Sequence, residues 1–249
     1  MNQHTHPTDI LAIGVHPDDI ELGCSGILIK HVRKGARVVI IDLTQGELGS
    51  RGTASTRYDE AARAARVMGV RERINLKFRD GFFENNEAHQ LELIRQIRKY
   101  RPGIIIGNAY HDRHPDHGRA SGLIETACFL SGLRKISTQE AGVEQEAWRP
   151  ARLFHYIQDR YIRPDIIVDI SDVMEEKIAA ISCYGTQFFS NPGDEEPETY
   201  ISRSGFLEQI RARAKEMGHK IGTAYGEGLC SKAFIGVRDL DSIFYPEFS

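Results

Sequence analysis

The chain has 249 residues, a formal net charge of −3, 41% hydrophobic and 27% charged side chains, enough to bury a core of one large domain or two small ones. That charge gives no footing for nucleic acid or an anionic membrane surface as a partner, and no apolar run reaches the length of a membrane span. The four cysteines, Cys24, Cys128, Cys183 and Cys230, form no C-x-x-C pair, so neither a zinc knuckle nor a disulfide framework is indicated; with no signal-peptide pattern in Met1 to Asp9, a cytoplasmic setting is expected.

Ile10 to Val15 is an apolar run that reads as a short buried strand. It breaks at His16-Pro17-Asp18-Asp19 and passes through the small residues Gly23 to Gly26 into a helix, Cys24 to Lys34, closed by Gly35. Val38 to Leu43 predicts a strand buried on both faces; a glycine-bearing loop, Thr44 to Thr56, and a helix, Arg57 to Met68, follow. Ile74 to Phe78 predicts a third strand, Glu87 to Tyr100 a helix capped by Asn86, and Ile104 to Gly107 the next strand. The loop Asn108 to His117 leads into a helix carrying Ala120, Leu123, Ile124 and Ala127.

Thr138 to Ala151 reads as a surface connection, and Leu153 to Gln158 and Ile166 to Ile170 as strands. Ser171 is placed to cap a helix reaching Tyr184; Asn191 to Ser204, without periodicity, reads as a mobile loop. Phe206 to Met217 predicts a long helix and Ala233 to Val237 a last short strand. The alternation of strands and helices predicts an α/β architecture, a Rossmann-like three-layer fold with a mostly parallel central sheet. No composition break divides it, so residues 1–249 read as a single domain.

Two clusters carry the chemistry. The first is His16-x-Asp18-Asp19; the second, His111 to His117, holds three histidines and two aspartates in seven residues. Each follows a predicted strand, and in open α/β sheets ligands collect at the carboxyl ends of the strands. Two histidines and one carboxylate, with a position left for water, form a common catalytic zinc set. Of two adjacent aspartates one can ligate while the other faces the water as general base. Cys24 reads as a buried helix residue, and His155 as structural.

The pairing of HPDD with HPDH resembles the PIG-L/LmbE-like family of metal-dependent N-deacetylases, which act on N-acetylglucosamine-containing substrates. The likeness continues through Asp42-Leu43-Thr44-x-Gly46-Glu47-Leu48, Gly52-Thr53-x-x-x-Arg57, Tyr184-x-x-Gln187-Phe188 and Ala224-Tyr225-x-Glu227-Gly228. Arg79 to Phe83, Cys128 to Lys135 and Gln145 to Pro150 are similar to the branch that deacetylates N-acetylglucosaminyl malate in bacillithiol biosynthesis.

The resemblance implies that His16, Asp19 and His117 hold the metal, zinc or iron(II), and that Asp18 is the general base. It implies His114 as an imidazolium that stabilises the oxyanion and can protonate the leaving amine, oriented by Asp116, whose carboxylate would raise the imidazole pKa. Arg57 matches a substrate-binding arginine, and Arg51 and Arg113 are placed to pair the malate carboxylates. Tyr184 and Gln187 would pack or line the pocket. Some relatives carry a tyrosine where this chain has Phe206, and Tyr200 is the nearby hydroxyl that would replace it. Relatives are often oligomers, so a homo-oligomer is expected. The competing aglycones are inositol and chitobiose. A nucleotide-binding module is the competing class, although Gly23-x-x-Gly26 lacks the G-x-G-x-x-G spacing.

Overall fold

The computed structural model describes residues 8–189 and 196–243. Its strands are β1 (Thr8–Gly14), β2 (Val38–Thr44), β3 (Glu72–Phe78), β4 (Pro102–Gly107), β5 (Gln139–Glu140), β6 (Val143–Glu144), β7 (Arg152–Tyr156), β8 (Ile166–Asp169) and β9 (Gly226–Cys230). Its helices are α1 (Asp19–Arg33), α2 (Ala54–Val67), α3 (Glu87–Tyr100), α4 (Pro115–Leu130), α5 (Met174–Ser182), α6 (Gly185–Phe188) and α7 (Phe206–His219). Seven strands form one sheet in the order β3-β2-β1-β4-β7-β9-β8, and β5 and β6 pair separately. The strands from β3 to β7 in that order are parallel, whereas β9 is antiparallel to both neighbours. The expected α/β fold with a mostly parallel sheet is therefore present. No helix among the described residues is long and apolar enough to cross a membrane.

Side chains alternate along β1 with a period of two, so the apolar run feeds both faces of the sheet. Ile10 and Ala12 pack with Ile20, Cys24 and Ile27 of α1 and with Met174 and Ala180 of α5. Leu11 and Ile13 pack with Leu93 and Ile97 of α3 and with Leu123 and Ile124 of α4. Three layers result, with α1 and α5 on one side and α3 and α4 on the other. The neighbours β1 and β4 pair in parallel with Ile10 opposite Ile104. The segments after Gly14 and Gly107 therefore leave the sheet on one rim, at the point where the strand order reverses and a ligand crevice opens.

Several boundaries differ from the sequence expectations. Helix α1 begins at Asp19, not Cys24, because Gly23 and Gly26 are contact points within the helix. A Cβ at Gly23 would lie 2.3 Å from Tyr156 Cδ2, and one at Gly26 2.9 Å from Ile170 Cδ1. These glycines admit the core and cradle no phosphate. Helix α2 starts at Ala54, with Thr53 and Thr56 forming a capping box. Ser171 does not cap α5: it begins a one-turn 3-10 segment, its hydroxyl donates to Asp169 Oδ1, and α5 ends at Ser182.

Ala233 to Val237 is not a strand; its side chains are exposed. The last strand is Gly226–Cys230, glycine-rich yet buried throughout, because it is paired on both sides by β7 and β8. Asn191 to Ser204 lies partly outside the described residues, and 196–204 carry neither helix nor strand.

An ion pair is spliced into α1. Glu227 of β9 accepts from the backbone N–H groups of Gly26 (3.0 Å) and Ile27 (2.7 Å), and Lys177 of α5 donates to the carbonyls of Glu21 (2.8 Å) and Leu22 (2.9 Å). Lys177 Nζ and Glu227 Oε1 are 2.8 Å apart, and both side chains are buried. The pair thus takes backbone groups from α1 directly below the turn that begins at Asp19.

Candidate functional site

The two motifs build equivalent turns. Asp19 N–H donates to His16 O and His117 N–H to His114 O, each at 3.2 Å. In the second turn Pro115 occupies the first helical position, where its missing N–H leaves nothing unsatisfied. His114 caps α4 through Nδ1, which accepts from Asp116 N–H at 3.3 Å. In the first turn Asp18 takes φ 130 and makes no side-chain capping bond. A non-glycine residue held there is strained, as residues at functional sites often are.

Asp19 turns back into the crevice rather than capping. Its Oδ2 accepts from the N–H groups of Val15 and His16 at 3.0 Å and from Asn108 Nδ2 at 3.1 Å. Its Oδ1 accepts from Gln158 Nε2 at 2.8 Å and lies 3.2 Å from His117 Nε2. His117 Nδ1–H donates to Asp112 Oδ2 at 2.6 Å, which directs Nε2 inward, where it is buried and makes no hydrogen bond. His16 is backed in the same manner, since Nε2–H donates to Asp80 Oδ1 at 3.0 Å and Nδ1 lies 3.7 Å from Asp19 Oδ2.

Donor atoms of His16, His114 and His117 lie within 4.8 Å of one another, and so do those of His16, Asp80 and Asp116. The second group is a hydrogen-bond shell, because Asp80 is committed to His16 and Asp116 to Gly81 N–H (2.9 Å) and Arg119 (2.7 Å). In the first, joined by Asp19, His16 Nδ1 and His117 Nε2 make no hydrogen bond among the described residues. Two donors on one tetrahedral zinc stand roughly 3.4 Å apart, which the spacing of Asp19 and His117 fits. A metal-binding histidine with its other nitrogen on a carboxylate is the usual arrangement. Asp112→Asn is accordingly expected to weaken zinc binding about 10- to 100-fold in a calorimetric titration.

The electrostatics also call for a cation. Burial opposes charge on His117, yet Asp19 and Asp112 together push it up to about 10, so a proton takes the place of positive charge. Burial would raise Asp19, but His117 and His16 hold it well below the usual carboxylate range. Asp18 is different: burial pushes it up to about 7 despite the Arg57 guanidinium. For His114 burial, with His16 and His117, draws the imidazole down. The Asp116 carboxylate acts in the expected direction, raising His114, but burial, His16 and His117 outweigh it. The Asp116 carboxylate faces Gly81 and Arg119, and only its backbone amide reaches the ring. With Nδ1 accepting, the proton of neutral His114 sits on Nε2.

A cavity of about 230 Å³ is lined by His16, Asp18, Asp19, His114 and His117 together with Arg57, Arg113, Gln158 and Gln187. Arg57 Nη2 donates to Asp18 Oδ2 at 3.0 Å and to Pro17 O at 2.8 Å, so most of its guanidinium holds the aspartate and its turn. Arg51 departs from expectation: buried, it donates to the carbonyls of Thr186, Phe189, Glu196 and Pro197 and does not line the cavity. Arg113 does line it. Tyr184 packs in the core with its hydroxyl on Glu21. Phe206 stacks on Phe188, and the Tyr200 hydroxyl donates to Asp159 at 3.0 Å, outside the cavity lining.

Asp80, Asp112, Asn108 and Gln158 were not singled out by the sequence. Asp112 lay within the histidine cluster, and Asn108 and Gln158 are the first polar groups past the ends of β4 and β7, a position that in such sheets faces the ligand crevice. His155 supports the same shell, its Nδ1 bonding Asn108 O at 2.7 Å.

The model of the family described as PIG-L, GlcNAc-PI de-N-acetylase, matches residues 11–128, a span that contains both clusters. The chain is 31% identical over 191 residues to diacetylchitobiose deacetylase of Thermococcus kodakarensis, covering 72% of this chain and 70% of that protein. Among solved structures it is similar to a conserved protein of Thermus thermophilus, with TM-score 0.80 and 35% identity over 93% of this chain and 98% of that one. It is also similar to N,N'-diacetylchitobiose deacetylase from Pyrococcus horikoshii, with TM-score 0.76 and 25% identity over 89% and 82%.

Proposed function

The chain belongs to the PIG-L family of de-N-acetylases, and from that premise we propose that it removes the N-acetyl group from N-acetylglucosaminyl malate, releasing acetate and glucosaminyl malate for bacillithiol biosynthesis. The observation that carries the reading is the buried Nε2 of His117, which makes no hydrogen bond and lies beside Asp19, with Asp18 next to it pushed up to about 7. His16, Asp19 and His117 would hold the metal, zinc or iron(II), which when bound supplies Lewis acidity toward the amide carbonyl and makes water easier to deprotonate.

Asp18 takes a proton from the attacking water. Its Oδ2 is fixed by Arg57, and no hydrogen bond holds Oδ1 among the described residues. His114 donates from Nε2–H to the carbonyl oxygen as negative charge develops there. It cannot easily serve as the acid as well, since its Nδ1 is held by the Asp116 amide. The proton on Asp18 therefore passes to the amine nitrogen as the C–N bond breaks. Arg113, at the cavity wall, pairs a carboxylate of the aglycone.

The test is acetate release from N-acetylglucosaminyl malate, N-acetylglucosaminyl inositol and diacetylchitobiose. The malate conjugate is expected to give the largest kcat/KM, with loss of turnover on chelation. No acetate from any of the three would overturn the reaction, and preference for a neutral conjugate would overturn the substrate.

A further inference from the structure

Beside the catalytic cavity lies a second, small chamber that shares Arg113, His114, His117 and Gln158 with it. Phe206, Ile210 and Arg213, one face of α7 at helical spacing, close its far side. Arg213 is three-quarters covered, with side-chain exposure of 28%, yet its guanidinium makes no hydrogen bond among the described residues. The ion-pair partner it has is Asp159 Oδ1, at 3.7 Å. Burial draws Arg213 below the usual arginine value, and Asp159 only partly offsets this.

Asp159 is itself shared. Its Oδ2 accepts from Arg113 Nε at 3.0 Å and its Oδ1 from the Tyr200 hydroxyl at 3.0 Å. The Arg113 guanidinium also lies over the Tyr200 ring, 4.5 Å from its centroid. Two arginines and a phenol thus converge on one carboxylate, and the second carboxylate at the chamber wall, Asp112, is already engaged by His117. The loop bearing Asp159 is held by its backbone, because the N–H groups of Asp159 (3.2 Å) and Arg160 (3.0 Å) both donate to Asp112 Oδ1. The side chain can therefore rotate away while the loop stays anchored beside the site.

Resting on the function proposed above, we propose that Arg213 and Arg113 form the subsite that reads a carboxylate on the aglycone, with Asp159 as an internal carboxylate that the ligand displaces. The chamber, at about 30 Å³, has room for a group of roughly one water's volume. A larger dicarboxylate enters only as Asp159 swings out. The subsite therefore selects for anionic aglycones, which gain both guanidinium groups, over neutral ones, which leave Asp159 in place.

The test compares N-acetylglucosaminyl malate with methyl N-acetylglucosaminide. In Arg213→Gln the ratio of kcat/KM, malate conjugate over methyl glycoside, is expected to fall about tenfold or more through KM, as loss of a charged hydrogen-bond partner implies. Arg213→Lys recovers part of the ratio, and Asp159→Asn raises it. A ratio unchanged in Arg213→Gln, or lowered in Asp159→Asn, overturns the proposal. Calorimetric titration of free L-malate decides the subsite apart from turnover: it should bind wild type more tightly than Arg213→Gln, and equal binding rejects the subsite. If wild type releases no acetate from either glycoside, the proposed function fails, and the malate titration still decides whether Arg213 holds a carboxylate.

Discussion

Asp18→Asn is expected to keep its metal and lose turnover by about a hundred- to ten-thousand-fold, the range a positioned general base contributes. His117→Ala, by contrast, should lose the metal, since it removes the buried Nε2 and leaves Asp112 Oδ2 without its donor. Metal content and kcat measured on the two variants separate the roles; full turnover in Asp18→Asn would sink the assignment. As the proposed base, Asp18 would act only when ionised, so activity is expected to fall as the pH drops through its pKa. Burial pushes that pKa up to about 7 in the metal-free site, and a dication beside it favours the charged form, so the acid limb of the loaded enzyme belongs below pH 7.

The same residue makes a stability prediction of opposite sign. The unfolded carboxyl titrates near pH 3.9 and the folded one at about 7, so the metal-free folded state holds the extra proton between them. Stability from this group is therefore lost as pH rises through that window, on the order of 4 kcal/mol by pH 8. Asparagine carries no charge there. Metal-free Asp18→Asn should melt above metal-free wild type at pH 8, with the gap narrowing at pH 5.

What the sequence made legible follows from how local each signal is. The runs Ile10 to Val15 and Val38 to Leu43 are strands whichever neighbours they meet, and HPDD and HPDH make their turns with their own backbone. The convergence of the two clusters needed only a parallel β1 and β4. Glu227 and Gly226–Cys230 were opaque because their environment is assembled from distant segments: a glycine-rich stretch becomes a strand when β7 and β8 supply its hydrogen bonds. Arg51, and the net weight of Asp116 on His114, were misjudged for a related reason. Composition shows that a guanidinium or carboxylate is near the motif, but only the fold shows that backbone carbonyls, Gly81 and Arg119 have already engaged it.

Glu227→Leu is expected to cost about 3–5 kcal/mol, because it leaves the Lys177 ammonium buried without its anion. Against a total stability of about 5–15 kcal/mol this is a large fraction. Gly26 and Ile27 would also lose their carboxylate acceptor. The double variant Lys177→Met/Glu227→Leu should recover most of the loss, since replacing both charges by apolar groups removes the desolvation penalty along with the attraction. Urea unfolding of the four proteins in a double-mutant cycle measures the coupling. A single variant that loses under about 1 kcal/mol, or a double variant no more stable than the single, would show that the pair does not hold α1 in this way.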